Sequence, residues 1–338
     1  NLYDLYLDSS AFSHVYGLDG DMVLRTVENN IYLYVGMRRG GNNYYAFDIT
    51  SKTNPKLMFK IDGGVGDFAN LGQTWSKPTV TKIKVGAANR NVLIFGGGYD
   101  EDQDSKLLRS ADSVGNSVFI VDADSGELIW SASASASDLV LPEMQYSIPA
   151  RISVIDRDND GFADHMYVVD TGGQLFRLDI HNGESVIDLV SGGLLADFAG
   201  DVEEDNRRFY YGPDISEVSV GNDHYYAVVM GTGFRAHPLN TIINDHFYMV
   251  KDSGVFIVDD NGDFGLPATP LDLDDLYDAT EHLLTTADPA ARELAAEQFA
   301  ESQGWYIKLK VGGEKVLASP LILDYRVIFT TYLPATAS

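Results

Sequence analysis

The sequence predicts an all-β fold, specifically a modified β-propeller, and three observations support this prediction. Tyr, Phe, Val and Ile are abundant, and these residue types favour strands. The 32 glycines divide the apolar runs into short segments, as turns between strands do. The segments recur in units of roughly 40 to 60 residues, the spacing of four-stranded propeller blades with loop insertions. A β-sandwich would give shorter and more uniform spacing.

The predicted propeller is one domain over residues 1–338, with about five to seven blades. In each unit we expect an inner strand, an apolar strand that ends at glycine and an aromatic-rich strand that ends at aspartate. A polar stretch at 100–113 interrupts the second unit and is expected to form a surface loop. The expected units lie at 30–49, 77–130, 150–185, 225–251 and 305–331.

A segment at 265–303 departs from the strand pattern and predicts a small helical insertion on the rim of the propeller. Asp288 is a natural N-cap, and Pro289 suits the first turn of a helix. The residues after them are rich in Ala, Leu, Glu and Gln, which are good helix formers, and Gly304 is expected to end the helix. A second, shorter helix is expected at 271–285.

The run DRDNDGFAD at 156–164 predicts a calcium-binding loop. Calcium prefers about six to eight oxygen ligands, and alternate residues of a tightly curled loop direct their oxygens inward. Gly161 permits the sharp turn because it has no Cβ atom. The predicted ligands are the carboxylates of Asp156, Asp158, Asp160 and Asp164 and the backbone carbonyl of Phe162.

The loop differs from an EF-hand, because Tyr167 stands where that motif has a bidentate glutamate. The flanking residues 150–155 and 165–169 are rich in β-branched and aromatic types, so the loop is expected to join two strands. The alternative is a solvated acidic turn, since Asp, Asn and Gly are common turn formers. A second candidate cation loop lies at 259–263, although it lacks the spaced carboxylate that closes the first loop.

The charge and composition of the chain exclude several classes of protein. With 50 acidic against 24 basic residues, the formal net charge is −26, which disfavours binding to nucleic acid or anionic lipid. No apolar run is long enough to form a transmembrane segment, and the chain has no cysteine for disulfides or thiolate metal sites.

The sequence begins without an initiator methionine or a signal peptide, so we expect a processed or excised part of a longer protein.

No catalytic constellation stands out, so we predict that the protein is not an enzyme. The chain has no G-x-S-x-G nucleophile elbow, and its glycine-rich runs at 96–98 and 231–233 lack the GK[ST] phosphate-binding signature. No pair of the seven histidines has the spacing of a helical metal site. Paired carboxylates for glycoside hydrolysis stay open, because nothing marks one pair among the 50 acidic residues.

Several segments taken together resemble the C-terminal β-propeller of the PilC/PilY family, the tip-associated adhesins and biogenesis factors of type IV pili. Among them are GMRRGGNNYYAFDIT from Gly36, GNSVFIVDADSGELIW from Gly115 and IPARISVIDRDNDGFADHMYVVDTGGQLFRLDI from Ile148. The order and density of these matches make the resemblance specific, whereas each string alone would be weak. The remaining matching segments lie at 71–80, 231–240, 304–309, 313–322 and 329–334.

This resemblance implies an exported protein at the pilus tip, the outer membrane or the cell surface. Its partners would be the type IV pilus, through minor pilins or the tip complex, or the pilus assembly machinery. A host-cell or surface receptor is a further implied partner. The implied role is to support pilus extension against retraction, and with it twitching motility, adhesion and virulence. The resemblance also implies that the cofactor is Ca2+, held by the loop at 156–164.

Two other classes of propeller compete with this interpretation. Integrin-like propellers act as protein-binding modules and carry the same D-x-D-x-D-G-x-x-D loop, but they repeat it in several blades, whereas this chain has one good copy. Pyrroloquinoline-quinone dehydrogenases have a repeat that the segment at 123–130 resembles. That repeat would recur in nearly every blade, and here it is clear only once.

Overall fold

The expected strands are present in the computed structural model, which describes residues 16–221, 223–260 and 262–334. These residues form 22 β-strands and one α-helix. By proximity of their residues, they divide into two compact units. The first unit comprises 16–105, 110–168 and 179–191, and the second comprises 106–109, 169–178 and 192–334.

The first compact unit contains two sheets that correspond to the strand repeats expected at 30–49 and 77–130. In both sheets the strands lie side by side in chain order, as they do in a propeller blade. The first sheet contains β1 (Met22–Val27), β2 (Asn30–Gly36), β3 (Tyr44–Asp48) and β4 (Lys56–Ile61). The second contains β5 (Thr79–Val85), β6 (Ala88–Gly96), β7 (Ser117–Asp122), β8 (Leu128–Ser133) and the short parallel β9 (Leu139–Val140).

The core of the first unit is built from the middle strands of these two sheets. Phe95 of β6 and Phe119 of β7 are buried, and their ring centroids lie 5.7 Å apart. Tyr44 of β3 packs against Phe95 at a centroid distance of 4.6 Å, so the two sheets share one hydrophobic cluster. Burial of each such side chain contributes roughly 1.5–3 kcal/mol.

The acidic run lies in the hairpin formed by β10 (Ser153–Ile155) and β11 (His165–Val169). Ile155 stands opposite His165 in an antiparallel ladder, so residues 156–164 form the connecting loop. This confirms the prediction that the loop joins two strands. At its base, the buried His165 Nδ1 lies 2.7 Å from Asp179 Oδ1. Two further strands follow in the chain, β12 (Gln174–Ile180) and β13 (Val190–Asp197).

One five-stranded sheet dominates the second unit, with strand order β14-β15-β16-β18-β17. Its core contains Phe247 and Met249 of β16, and the Phe329 ring stacks on Phe247 with centroids 3.9 Å apart. Two small two-stranded sheets complete the unit, β19 with β22 and β20 with β21. The strands are β14 (Asp214–Val220), β15 (Asp223–Gly231), β16 (His246–Asp252), β17 (Tyr277–Asp278), β18 (Gly304–Lys308), β19 (Lys315–Val316), β20 (Leu321–Leu323), β21 (Arg326–Ile328) and β22 (Thr331–Tyr332).

The strand at 305–309 was expected to open a fifth unit, and this prediction is wrong. β18 pairs antiparallel with β16, with Met249 opposite Trp305, so it belongs to the five-stranded sheet. After β16 the chain next contributes β17 at the edge of this sheet, and only then β18, which lies between β16 and β17. The long connection between β16 and β18 therefore separates strands that are neighbours in space, and spacing along the sequence gave a false boundary.

The expected helix is α1 (Pro289–Glu301), and its predicted cap is confirmed, since Asp288 Oδ1 accepts a 3.0 Å hydrogen bond from the Ala290 amide. The shorter helix expected at 271–285 is wrong, because that stretch contains two 3-10 turns on either side of β17. Asp272 and Asp275 cap the start of the first turn reciprocally, but Leu276 is extended and Tyr277 pairs with β18, so the helical turn ends there. The single domain over 1–338, with an insertion at 265–303, stays a prediction. Within the described ranges, no helix is long and apolar enough to cross a membrane.

The polar stretch at 100–113, which was expected to form a surface loop, is partly buried. Gln103 and Asp112 are buried, and Gln103 Nε2 donates a 2.7 Å hydrogen bond to Asp112 Oδ1. The backbone amide and hydroxyl of Ser147 both donate to Asp112 Oδ2 at 2.7 Å. The expectation of a purely exposed loop is therefore wrong at these positions, because the polar residues hydrogen-bond to one another instead of to water.

Candidate metal centre

The backbone of the loop at 156–164 is curled tightly by two residues in left-handed conformations. Asn159 has φ +60° and Gly161 has φ +91°. A Cβ atom at Gly161 would meet nothing within 4 Å, so backbone conformation and not lack of space favours glycine there. Asn tolerates the left-handed region better than most residues, because its short side chain hydrogen-bonds locally. The turn chemistry read from the sequence is therefore what bends the loop.

Three of the predicted ligands come together. One carboxylate oxygen each from Asp156, Asp158 and Asp164 lies within 4.8 Å of the others. Calcium–oxygen distances are about 2.3–2.6 Å, so oxygens bound to one ion lie at most about 5 Å apart. The spacing therefore fits a single hard cation. Asp156 and Asp158 are exposed and Asp164 is half-buried, so the cluster is open to solvent on one side.

Backbone amides of the loop hold the first two carboxylates in place. The Gly161 amide donates to Asp156 Oδ2 at 2.8 Å. The Asp160 amide donates to Asp156 Oδ1 and to Asp158 Oδ1, both at 3.1 Å. These donors supply partial positive charge but no full positive charge. The carboxylates are therefore oriented before any ion binds, while most of their mutual repulsion remains.

Asp164 closes the loop from the start of the next strand. Its Oδ2 accepts a 2.7 Å hydrogen bond from the Arg157 amide, and its Oδ1 lies 3.4 Å from Asn182 Nδ2. Burial raises the pKa of Asp164 above its ordinary value, and the negative charge of Asp158 adds to the rise. A cation at the cluster would offset both effects. Asn182 also donates to the Ala163 carbonyl at 2.9 Å, so it fixes the C-terminal end of the loop.

Asp160 lies outside this cluster, unlike the other predicted carboxylates. Its Oδ1 accepts a 2.9 Å hydrogen bond from the Phe162 amide, and its Oδ2 lies 3.3 Å from Lys84 Nζ. The Phe162 hydrogen bond, with a smaller effect from Lys84, holds the pKa of Asp160 below its usual value. Lys84 Nζ also lies 4.0 Å from the centroid of the half-buried Phe162 ring. The roles of Asp160 and of the Phe162 carbonyl as ligands stay predictions.

Lys84 and Asn182 also belong to this site, and neither was predicted from the sequence. Lys84 reaches the loop from β5, 76 residues before Asp160, and Asn182 reaches it from the residues that follow β12. The Asn182 side chain accepts the Lys84 amide at 2.8 Å, which connects the two. Lys82 and Lys84 are two residues apart in β5 and therefore share one face of the strand. This spacing could have indicated a positively charged strand face.

The second acidic stretch at 259–263 forms a turn. The Asp259 amide donates to the Asp263 carbonyl at 2.9 Å, and the Asp263 amide donates to Asp259 Oδ1 at 3.0 Å. Gly262 has φ +92°. Asn261 lies outside the described residues. Within 16–221, 223–260 and 262–334, the cluster in the first loop is the one group of three or more ligating side chains at metal-binding distance.

A family model of the PilY1 β-propeller domain matches residues 9–189, which include the metal loop. The chain belongs to this family. The match confirms the resemblance found in the sequence, and it confirms the β-propeller fold class. It favours neither the integrin-like nor the quinone-dehydrogenase interpretation.

Known members of the PilY1 family agree with this assignment. A type IV pilus biogenesis factor PilY1 homolog of Xylella fastidiosa is 25% identical over 98% of this chain, which covers 22% of that protein. The type IV pilus biogenesis factor PilY1 of Pseudomonas aeruginosa is 26% identical over 58% of this chain, or 14% of its own length. The chain thus spans less than a quarter of these relatives. Both names are those of pilus biogenesis factors, and neither is that of an enzyme.

A solved structure supports the fold independently. The crystal structure of the Pseudomonas aeruginosa PilY1 C-terminal domain aligns with 94% of this chain and 68% of that chain, with a TM-score of 0.67 and 19% sequence identity. At this identity the alignment demonstrates a shared fold. The PilY1 propeller is therefore the architecture in which the metal loop is placed.

Proposed function

We propose that this chain is the calcium-binding propeller of a type IV pilus biogenesis factor, without catalytic activity. The observation that carries the proposal is the cluster of Asp156, Asp158 and Asp164, whose oxygens lie within 4.8 Å of one another. Carboxylate and carbonyl oxygens suit a hard cation such as calcium, whereas softer transition metals favour imidazole and thiolate ligands. Membership in the PilY1 family supports the pilus role.

The residues of the loop have separate tasks in this proposal. Asp156, Asp158 and Asp164 would hold the ion, with Asp160 and the Phe162 carbonyl as further ligands. The bound cation supplies positive charge that offsets the repulsion among the carboxylates. The loop backbone, anchored to β10 and β11, then keeps one conformation and presents one surface to a partner.

The cellular role follows from the family. We infer that the protein is exported and acts at the pilus tip, the outer membrane or the cell surface. Its partner is the pilus, through minor pilins or the tip complex, or the assembly machinery. A loop fixed by calcium would favour pilus extension over retraction, and thereby twitching motility and attachment to surfaces or host cells.

Calorimetric calcium titration of the wild type and of Asp158→Ala tests the metal site. We expect about one equivalent of calcium to bind to the wild type, and binding to be lost in the variant. Asp67→Ala, which removes an exposed carboxylate elsewhere in the first unit, is the matched control and should bind normally. Absence of binding, or equal binding by Asp158→Ala, would reduce the loop to an acidic turn. Pilus retraction in cells that carry Asp158→Ala tests the cellular role.

A further inference from the structure

A cleft in the first unit lies beside the metal loop and has a volume of about 640 Å³. Clefts that hold ligands usually measure roughly 300–1,000 Å³. Strand β1, the β5–β6 hairpin and the metal loop contribute its walls. We name it the cationic groove, and the lining residues that matter are Arg25, Lys82, Asn89, Arg90, Gly161 and Phe162.

The charge of the cationic groove is opposite to that of the chain. Its charged lining residues are all cations, namely Arg25, Lys82 and Arg90, although the whole chain has a formal net charge of −26. Two cavities in the second unit show the usual pattern, since carboxylates predominate among their charged lining residues. The charged groups that line the groove are therefore cationic on an acidic protein, although Asp124 and Asp122 lie beside two of them, and such cations attract anionic groups.

The three cationic side chains differ in how strongly they are already paired with carboxylates of the protein. Arg25 is buried and its Nη1 lies 2.7 Å from Asp124 Oδ1, so it is held rigidly. Arg90 is half exposed, and its Nη1 reaches Asp122 Oδ2 only at 3.7 Å. Lys82 is exposed and has no ion-pair partner among the described residues. Lys82 and Arg90 can therefore bind an incoming carboxylate without breaking a strong internal pair.

The shape of the groove favours an extended peptide. Residues 25–27 of β1 line it consecutively. Among the described strands β1 pairs with β2 alone, so its other edge is available for backbone hydrogen bonds within this part of the chain. Asn89 and Asn91 add neutral donors and acceptors. A nucleic acid strand is disfavoured, because the net charge of the chain repels a continuous phosphate backbone.

We propose that the cationic groove binds an extended acidic segment of a partner protein, and that calcium in the neighbouring loop strengthens this binding. The second part rests on the function proposed above. Lys84 provides the connection, because its Nζ lies 3.3 Å from Asp160 Oδ2 and 4.0 Å from the ring of Phe162, a groove residue. With Asp160 as one of the proposed ligands, its negative charge would be shared with the bound calcium. Lys84 then attracts acidic groups in the groove more strongly.

Fluorescence anisotropy with a labelled synthetic peptide of alternating glutamate and valine tests the proposal on the full chain. We expect saturable binding in calcium, a loss of about tenfold in affinity for Lys82→Glu, and weaker binding in chelator. Lys52→Glu makes the same charge change at an exposed site outside the groove and should bind like the wild type. The same peptide with glutamine for glutamate should not bind. Lys84→Gln should bind the acidic peptide equally in calcium and in chelator.

The outcomes separate this proposal from the metal site. Equal affinities of Lys82→Glu and Lys52→Glu, or equal binding of the acidic and glutamine peptides, would overturn the groove as an acidic-peptide site. If calorimetry shows calcium bound while peptide affinity is unchanged by chelator, the coupling through Lys84 is wrong and the metal site stands. If no calcium binds, the proposed function fails, whereas peptide binding sensitive to Lys82→Glu would still support the groove.

Discussion

Replacing Asp158 by asparagine should have opposite effects on stability with and without calcium. Asparagine keeps the side-chain oxygen that accepts the Asp160 amide, but it removes one negative charge from the cluster. Without calcium, the change relieves repulsion, so the variant should be more stable than the wild type. With calcium, it removes a charged ligand, so the variant should be less stable.

The spacing of the carboxylates gives the size of the first effect. Two unit charges 4.8 Å apart repel by about 0.9 kcal/mol in a water-like dielectric, which applies because Asp156 and Asp158 are exposed. Asp158 has two such neighbours, and screening at physiological salt reduces their combined repulsion to about 1 kcal/mol. In a chain of this size that corresponds to about 2 °C in melting temperature.

Thermal melts in chelator and in excess calcium measure both effects. At a calcium concentration one hundred times Kd, the wild type should gain about 2.7 kcal/mol, and Asp158→Asn clearly less. Asp67→Asn removes an exposed charge elsewhere in the unit and should melt like the wild type in both conditions. A variant that melts below the wild type in chelator would show that Asp158 stabilises the loop without metal, and the repulsion argument would be refuted.

Three further predictions concern Gly161 in the same loop and two buried carboxylates, Asp252 and Asp245. Gly161→Ala should cost about 1 kcal/mol and weaken calcium binding in calorimetry, because φ is +91° but no atom obstructs a Cβ; unchanged binding would contradict this. Asp252→Ala should cost about 3–5 kcal/mol in denaturant melts, because it leaves the buried Arg177 guanidinium, 2.8 Å from Asp252, without its carboxylate; a loss below 1 kcal/mol would contradict this. Burial raises the pKa of Asp245 to about 6, above its unfolded value near 3.9. Stability should therefore fall by about 1 kcal/mol between pH 5 and 7 in the wild type relative to Asp245→Asn, and equal pH profiles would contradict the buried charge.

The features that could be predicted from the sequence are those decided within a few consecutive residues. The acidic cluster in the loop at 156–164 is one, because its three carboxylates and Gly161 all lie within nine positions of the chain. The cap of α1 is another, since Asp288 and Pro289 act on the next turn of backbone. In both cases the interactions that fix the conformation are local, so residue types and spacing contain the information.

The predictions that were wrong concern residues whose partners lie far away in the chain. Trp305 was placed in a separate unit because nothing in its own sequence reveals that it pairs with Met249 across a long insertion. Asp112 was expected in an exposed loop because its partner, Ser147, lies 35 residues later. A polar residue reads as exposed until its hydrogen-bond partner is known.

Asp160 combines both situations, and Lys84 connects it to Phe162 in the proposed groove. Its spacing predicts a metal ligand, yet its carboxylate turns toward Lys84, which the sequence places 76 residues earlier. The Asp160 carboxylate can interact with the proposed ion and with Lys84, and a stronger interaction with one of them weakens its attraction for the other. A loop that only bound calcium would gain nothing from a lysine that competes for Asp160, one of its predicted ligands. The competition becomes useful if occupancy of the loop has to change the charge that a neighbouring binding surface presents.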